Sequence, residues 1–177
     1  MFSKILVPVS ARSIETLLPL AIETARKHNA GIIALHVMDN AVRYLATPID
    51  CDLGLVFAAL EEHAQAIAAR AQTILNAYAG DGEARIVRVP AAGVTVGEAI
   101  VAYVAQSEAD LVLLGRRKTA WWKVFDEDIA AVILRQCDVA VQIVPAVTCN
   151  TSRVGAPATI CVAVSPRHAV IKPPALR

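Results

Sequence analysis

Apolar positions along this chain change their spacing in a regular order, and the order defines the elements. Lys4–Val9 is a short run rich in Ile and Val and reads as a buried strand. A helical stretch follows, with Leu17, Leu18, Ala21, Ile22 and Ala25 on one face. Pro19 falls near its start, where a missing N–H costs little. Asn29-Ala30-Gly31 stops this helix. Gly31–Met38 is the second strand, and its near-continuous apolar run predicts cover on both faces. Residues 39–54 carry Asn, Pro, Asp and Gly and read as an irregular connection, with Asp50 and Asp52 facing solvent.

The longest periodic stretch is Leu55–Ala79. Val56, Leu60, Ala64, Ile67, Ala71, Ile74 and Tyr78 recur there at three- and four-residue steps. His63 falls on the same apolar face by this spacing, as a core or interface residue. Gly80-Asp81-Gly82 ends the helix, and Ala84–Val89 is a third strand. Thr95-Val96-Gly97-Glu98 has capping-box spacing and starts a helix that buries Ile100, Val101 and Val104. Asp110–Gly115 is the fourth strand. Glu127–Arg135 is a short helix with acids first and Arg135 last, which suits the macrodipole. Val139–Val144 is the fifth strand, closed by Pro145. Strands alternating with helices predict a doubly wound parallel sheet. Ligands then belong at the carboxyl ends of the strands, where strand order reverses.

Residues 147–177 form a tail of different character. Ile160-Cys161-Val162-Ala163-Val164-Ser165-Pro166-Arg167 matches Ile5–Arg12 at five of eight positions. Two readings stand side by side: the opening of a second copy of the domain, or coincidence in a Val-rich strand near 159–164. A lone strand cannot fold as a domain, so it packs on the body, pairs with a partner or stays mobile.

Composition narrows the class. The 177 residues are 56% hydrophobic and 19% charged, so the chain is expected to be globular. Aromatics make up 5%, so aliphatic residues and Ala must build the core. A net charge of +1 gives no bulk field for nucleic acid or an anionic membrane. The N-terminus enters an apolar strand without a signal-peptide core, and no apolar run reaches about eighteen residues. The expected location is therefore the cytoplasm, without membrane insertion. Cysteines at 51, 137, 149 and 161 never form CxxC and read as reduced thiols, and no Cys/His pair has zinc spacing. No GxSxG elbow surrounds Ser10, and no catalytic set emerges. His36, inside the second strand, reads as structural.

Three segments carry a resemblance to a known family. They are KILVPVS at the start, LHVMD after the first helix, and VGEAIVAYVAQSEADLVLLGRR with AAVILRQCDVAVQIVP beyond it. Over residues 1–146 the chain resembles the universal stress protein family. The resemblance implies an α/β fold of the adenine nucleotide alpha hydrolase type. It has a five-stranded parallel sheet in order 3-2-1-4-5, with helices on both faces. It also implies a homodimer, here through the Val139–Val144 strand.

Family members divide by whether they bind ATP or AMP. Binders carry Gly-x-x-Gly after strand four and Gly-Ser or Gly-Thr about nine residues on. Glycines admit the phosphate, and hydroxyl and N–H groups at a helix start hold it. The resemblance places the family's nucleotide site on Val9, Ser10, Val37 and Gly115, then Arg116, Lys118 and Asp128. Gly115 and Val37 match the binders. Lys118 replaces the second glycine, Ser10 replaces an aspartate, and Asp126-Glu127-Asp128 occupies the place of Gly-Ser. These carboxylates would repel a triphosphate, and Asp128 or Asp126 makes a good N-cap. Arg116-Arg117-Lys118 reads as a solvated turn or as a phosphate grip from the other side.

The leading expectation is a non-enzymatic dimeric regulator or scaffold in stress response that does not bind ATP. The alternative is an adenine-nucleotide sensor or slow ATPase holding ATP or AMP with an altered loop. A further alternative, from relatives, is a regulatory partner of a membrane transporter. Trp121 and Trp122 read as a protein-partner surface or as a lid packed over the cleft.

Overall fold

The structure, a computed structural model, describes residues 1–39, 52–78, 81–89, 93–115, 128–144 and 161–163. Strands β1 (Lys4–Pro8), β2 (Gly31–Met38), β3 (Gly82–Arg88), β4 (Leu111–Gly115) and β5 (Ala140–Val144) pair in parallel in the order 3-2-1-4-5. Helices α1 (Ile14–His28), α2 (Leu53–Asn76), α3 (Val96–Ser107) and α4 (Ile129–Gln136) connect them. This is the α/β sheet that the alternating pattern and the resemblance imply.

Strand periodicity splits the core into two layers, because successive side chains point to opposite faces. Ile5, Val7, Leu111 and Leu113 point to one face and meet Leu17, Leu18 and Ala21 of α1 and Ala71 and Leu75 of α2. Leu6, Leu35, Val112 and Leu114 point to the other and meet Ile100 and Val104 of α3 and Ile133 of α4. Each such Leu or Ile removed from water contributes about 1.5–3 kcal/mol.

The caps follow local chemistry. The Thr95 hydroxyl accepts from Glu98 N–H, and the Glu98 side chain accepts from Thr95 N–H, the capping box read from the sequence. Asn29 ends α1 in the left-handed conformation at φ 53°.

Two readings need correction, and a third gains a role. Pro19 lies inside α1, where its ring nitrogen leaves the Glu15 carbonyl without the usual i+4 donor. His63 is exposed. The buried stripe of α2 runs through Ala64, Ile67, Ala71, Leu75 and Tyr78, and His63 falls beside it. Asp52 faces solvent, as expected, but also caps α2 by accepting from Gly54 N–H at 2.9 Å.

The tail contributes a sixth strand. β6 (Cys161–Ala163) runs antiparallel beside β5, pairing Val141 with Ala163, Gln142 with Val162 and Ile143 with Cys161. Of the fates open to this segment, packing on the body is the one observed. Among the described residues, no helix is long and apolar enough to cross a membrane.

Candidate ligand site at the carboxyl ends of the strands

β1 lies between β2 and β4, and strand order reverses at the β1–β4 pair. A crevice for ligands belongs just beyond the carboxyl ends of these strands. Val9 and Ser10 follow β1, Val37 lies near the end of β2, Gly115 ends β4 and Asp128 opens α4. The structure therefore brings these five residues to one end of the sheet. Arg116, Lys118, Trp121 and Trp122 lie outside the described residues.

Val9 is a core residue. Its side chain is buried with the α1 layer, and its N–H donates to the Leu35 carbonyl at 2.8 Å. The Val9 carbonyl receives His36 Nδ1 at 3.0 Å, so that nitrogen carries the proton. This gives His36 the structural role read from its strand position: it ties β2 to the chain leaving β1. Val37 is half-buried and packs against the α3 layer.

Ser10 is exposed, but its groups are engaged. Its N–H donates to Ser13 Oγ at 2.9 Å, and the two hydroxyls lie 3.0 Å apart. Ser13 begins α1, and its side chain makes no capping bond into the helix. The turn instead closes on itself, with Ser13 and Ile14 N–H groups both reaching the Ser10 carbonyl at 3.0 Å. Ser13 escaped the sequence reading. Its signal is the three-residue spacing from Ser10, at which short hydroxyl side chains bond back to the local backbone.

Gly115 has a packing reason to be glycine. A Cβ there would lie 3.1 Å from Leu17 Cδ1 and 3.2 Å from Cδ2. Leu17, on the buried face of α1, packs there, so β4 ends hard against the core. Sequence reading gave this glycine to a ligand; Leu17 was read as a core residue of the first helix, but its contact with Gly115 escaped notice because it joins distant elements.

Asp128 is the N-cap of α4, and its Oδ1 accepts from Ala131 N–H at 3.1 Å. A carboxylate thus occupies a donor that a helix N-terminus otherwise offers to an anion. Cys137, at the other end of α4, is a free buried thiol, and burial together with the nearby Asp138 charge raises its pKa. Among the described residues, no group of three His, Cys, Asp or Glu side chains could hold a metal.

Comparison with known proteins agrees with this architecture. A universal stress family protein from Burkholderia pseudomallei superposes with a TM-score of 0.65 at 23% identity, covering 81% of this chain and 96% of its own. The universal stress protein UspA of Lactobacillus plantarum gives 0.59 at 21%, covering 81% and 96%. A universal stress protein of Archaeoglobus fulgidus in complex with dAMP gives 0.53 at 16%, covering 80% and 96%. No curated protein matches the chain. The sequence profile of the universal stress protein family matches residues 1–145, nearly the whole five-stranded core. The chain belongs to the universal stress protein family.

Proposed function

We propose that this chain is a cytoplasmic, non-enzymatic regulator or scaffold of the universal-stress type, acting through protein contacts rather than by clasping ATP. The observation that carries this reading is Asp128 on Ala131 N–H at the start of α4. An incoming phosphate must displace that carboxylate or share its space. Two like charges about 4 Å apart cost roughly 1 kcal/mol in water and about 4 kcal/mol near a protein surface. Further support comes from Gly115, which Leu17 packing explains without a phosphate, and from the closed Ser10–Ser13 turn. Contacts fall to the Trp121–Trp122 pair and to a homodimer through the Val139–Val144 strand.

A second reading has its own support. Structural neighbours include universal stress proteins in complex with cAMP and with dAMP. Val37 and Gly115 keep the residue types of nucleotide binders. Under that reading the chain senses an adenine nucleotide and grips it with Arg116 and Lys118.

Titration of the whole chain with ATP and AMP, followed by the fluorescence of Trp121 and Trp122, separates the two. No saturable change is expected up to about 1 mM ligand, a binding free energy of only about −4 kcal/mol. Saturation in the micromolar range overturns the first reading.

A further inference from the structure

β3 closes one side of the sheet, with β2 on its inner flank. Ile32 N–H donates to the Asp81 carbonyl at 2.8 Å, and Val89 N–H donates to the Met38 carbonyl at 3.1 Å, one at each end of this ladder. Backbone groups alternate sides along a strand, so the odd-numbered residues of β3 face β2 and the even-numbered ones face outward. Outward N–H and C=O groups are a template for another strand. Gln72 of α2 takes two of them. Its Nε2 donates to the Gly82 carbonyl at 3.2 Å, and its Oε1 accepts from Ala84 N–H at 2.8 Å. A primary amide offers the donor and the acceptor that a neighbouring backbone would offer there. Nε2 also donates to Asn76 Oδ1 at 2.9 Å, which fixes the amide in this orientation. Among the described residues, nothing bonds the outward Ile86 N–H and C=O.

We infer that the β3 edge is a pairing surface for a second copy of this chain, and that Gln72 holds it shut. Identical edge strands related by a two-fold axis meet antiparallel. With the axis at Ala84, the two Ala84 residues face each other, Gly82 faces Ile86, and Glu83 faces Arg85 on both sides of the axis. Opposite charges so placed favour pairing. Within one copy Glu83 and Arg85 already lie 2.6 Å apart, gathered where a second copy would meet them. An axis at Arg85 sets Arg85 against itself, and an axis at Ile86 leaves Arg85 facing Val87 with no charge to match. The charge-matched register needs Ala84 N–H and Gly82 C=O, the two groups that Gln72 occupies. A chain with two open edges grows into an endless sheet, and the guard prevents this. The inference depends neither on nucleotide binding nor on pairing at β5.

The test uses the full chain in solution. Gln72→Ala keeps a good helix former in α2 and frees Gly82 C=O and Ala84 N–H. Light scattering at micromolar concentration should give at least about twice the wild-type mass, whatever the wild-type mass is. Adding Arg85→Glu sets Glu83 against a second carboxylate and should return the mass to the wild-type value. Arg85 is exposed, so this change spares the core. A Gln72→Ala protein with the wild-type mass overturns the inference. So does a raised mass that Arg85→Glu leaves in place, since the copies then meet elsewhere.

Amide exchange in the wild type reads the guard without any substitution. Ala84 and Ile86 N–H point outward from the same strand, and of the two Gln72 bonds Ala84 alone. After allowance for intrinsic rates, Ala84 N–H should exchange at least about tenfold more slowly than Ile86 N–H, roughly the protection of one hydrogen bond. Equal rates would mean that Gln72 does not hold the edge, and the inference falls.

Discussion

Two carboxylates mark the two ends of the sheet, and each takes backbone N–H groups. At the amino end, Asp110 accepts from Ser3 N–H at 2.7 Å, Ser3 Oγ at 3.0 Å and Lys4 N–H at 3.0 Å. It fastens the start of β1 to the start of β4. At the carboxyl end, Asp128 accepts from Ala131 N–H and closes the first turn of α4. The chemistry is the same, but the consequence differs. In a parallel sheet, ligands approach from the carboxyl end. Asp110 therefore competes with nothing, whereas Asp128 competes with any anion the crevice might receive.

The largest effect is expected where the carboxyl end touches the core. Gly115→Val would place carbon into the 3.1 Å gap before Leu17 and should cost about 2–3 kcal/mol by overpacking. Thermal unfolding should shift down by several degrees, and Leu17→Ala in the same chain should recover part of the loss because it vacates the clashing volume. A Gly115→Val protein as stable as wild type would show that packing does not fix this glycine, and would return it to the ligand reading.

Asp110→Ala comes next, at about 2 kcal/mol, from losing hydrogen bonds to a charged acceptor. Burial alone raises the Asp110 carboxyl, but the bonds from Ser3 and Lys4 together outweigh it and hold the pKa below the ordinary value. A group depressed on folding stabilises above its unfolded pKa, near pH 4, and loses that contribution as pH falls through the folded value. Denaturant titrations should show the full difference between wild type and variant at pH 7, narrowing below about pH 4. A gap that stays constant into acid would mean that the clasp does not depend on the carboxylate charge.

At the opposite end, Asp128→Ser should leave stability within a few tenths of a kcal/mol, since Ser also caps helices well. Its effect should appear in ligand binding. Removing the carboxylate restores a hydroxyl at the helix start, and ATP affinity should rise about tenfold, or roughly 1.4 kcal/mol. Tryptophan fluorescence of both proteins checks this. Unchanged weak binding would place the obstacle elsewhere in the crevice.

Legibility in the sequence followed the range of each interaction. Strands and helices declared themselves through spacing, because a two-residue or three-to-four-residue rhythm is local. The Thr95–Glu98 box and the Asp128 cap were readable for the same reason. His63 was misplaced because spacing fixes a face but not its width. The core accepts only a narrow stripe of α2, and His63 lies beside Ala64, outside it. Gly115 against Leu17 and Asp110 against Ser3 were hidden, since each joins residues about a hundred positions apart. β6 was visible as a strand, but its neighbour was not, because a Val-rich triplet carries no address.

The smallest effect returns to the amino end, two residues before the Asp110 clasp. Glu108 ends α3 at φ 56°, in the left-handed region that suits glycine. A side chain there costs about 1–2 kcal/mol, while glycine costs about 0.5–1 kcal/mol through the entropy of the unfolded chain. Glu108→Gly should therefore stabilise by about 0.5–1 kcal/mol and raise the melting temperature by a few degrees. The turn joins Ser107, whose carbonyl receives Lys4 Nζ, to Asp110, so relaxing it leaves the clasp intact. Nucleotide titration should not change, because nothing at this end faces the crevice. A substitution here that altered ligand binding would erase the division between the two ends, since it would couple a strained turn to a site at the far side of the sheet.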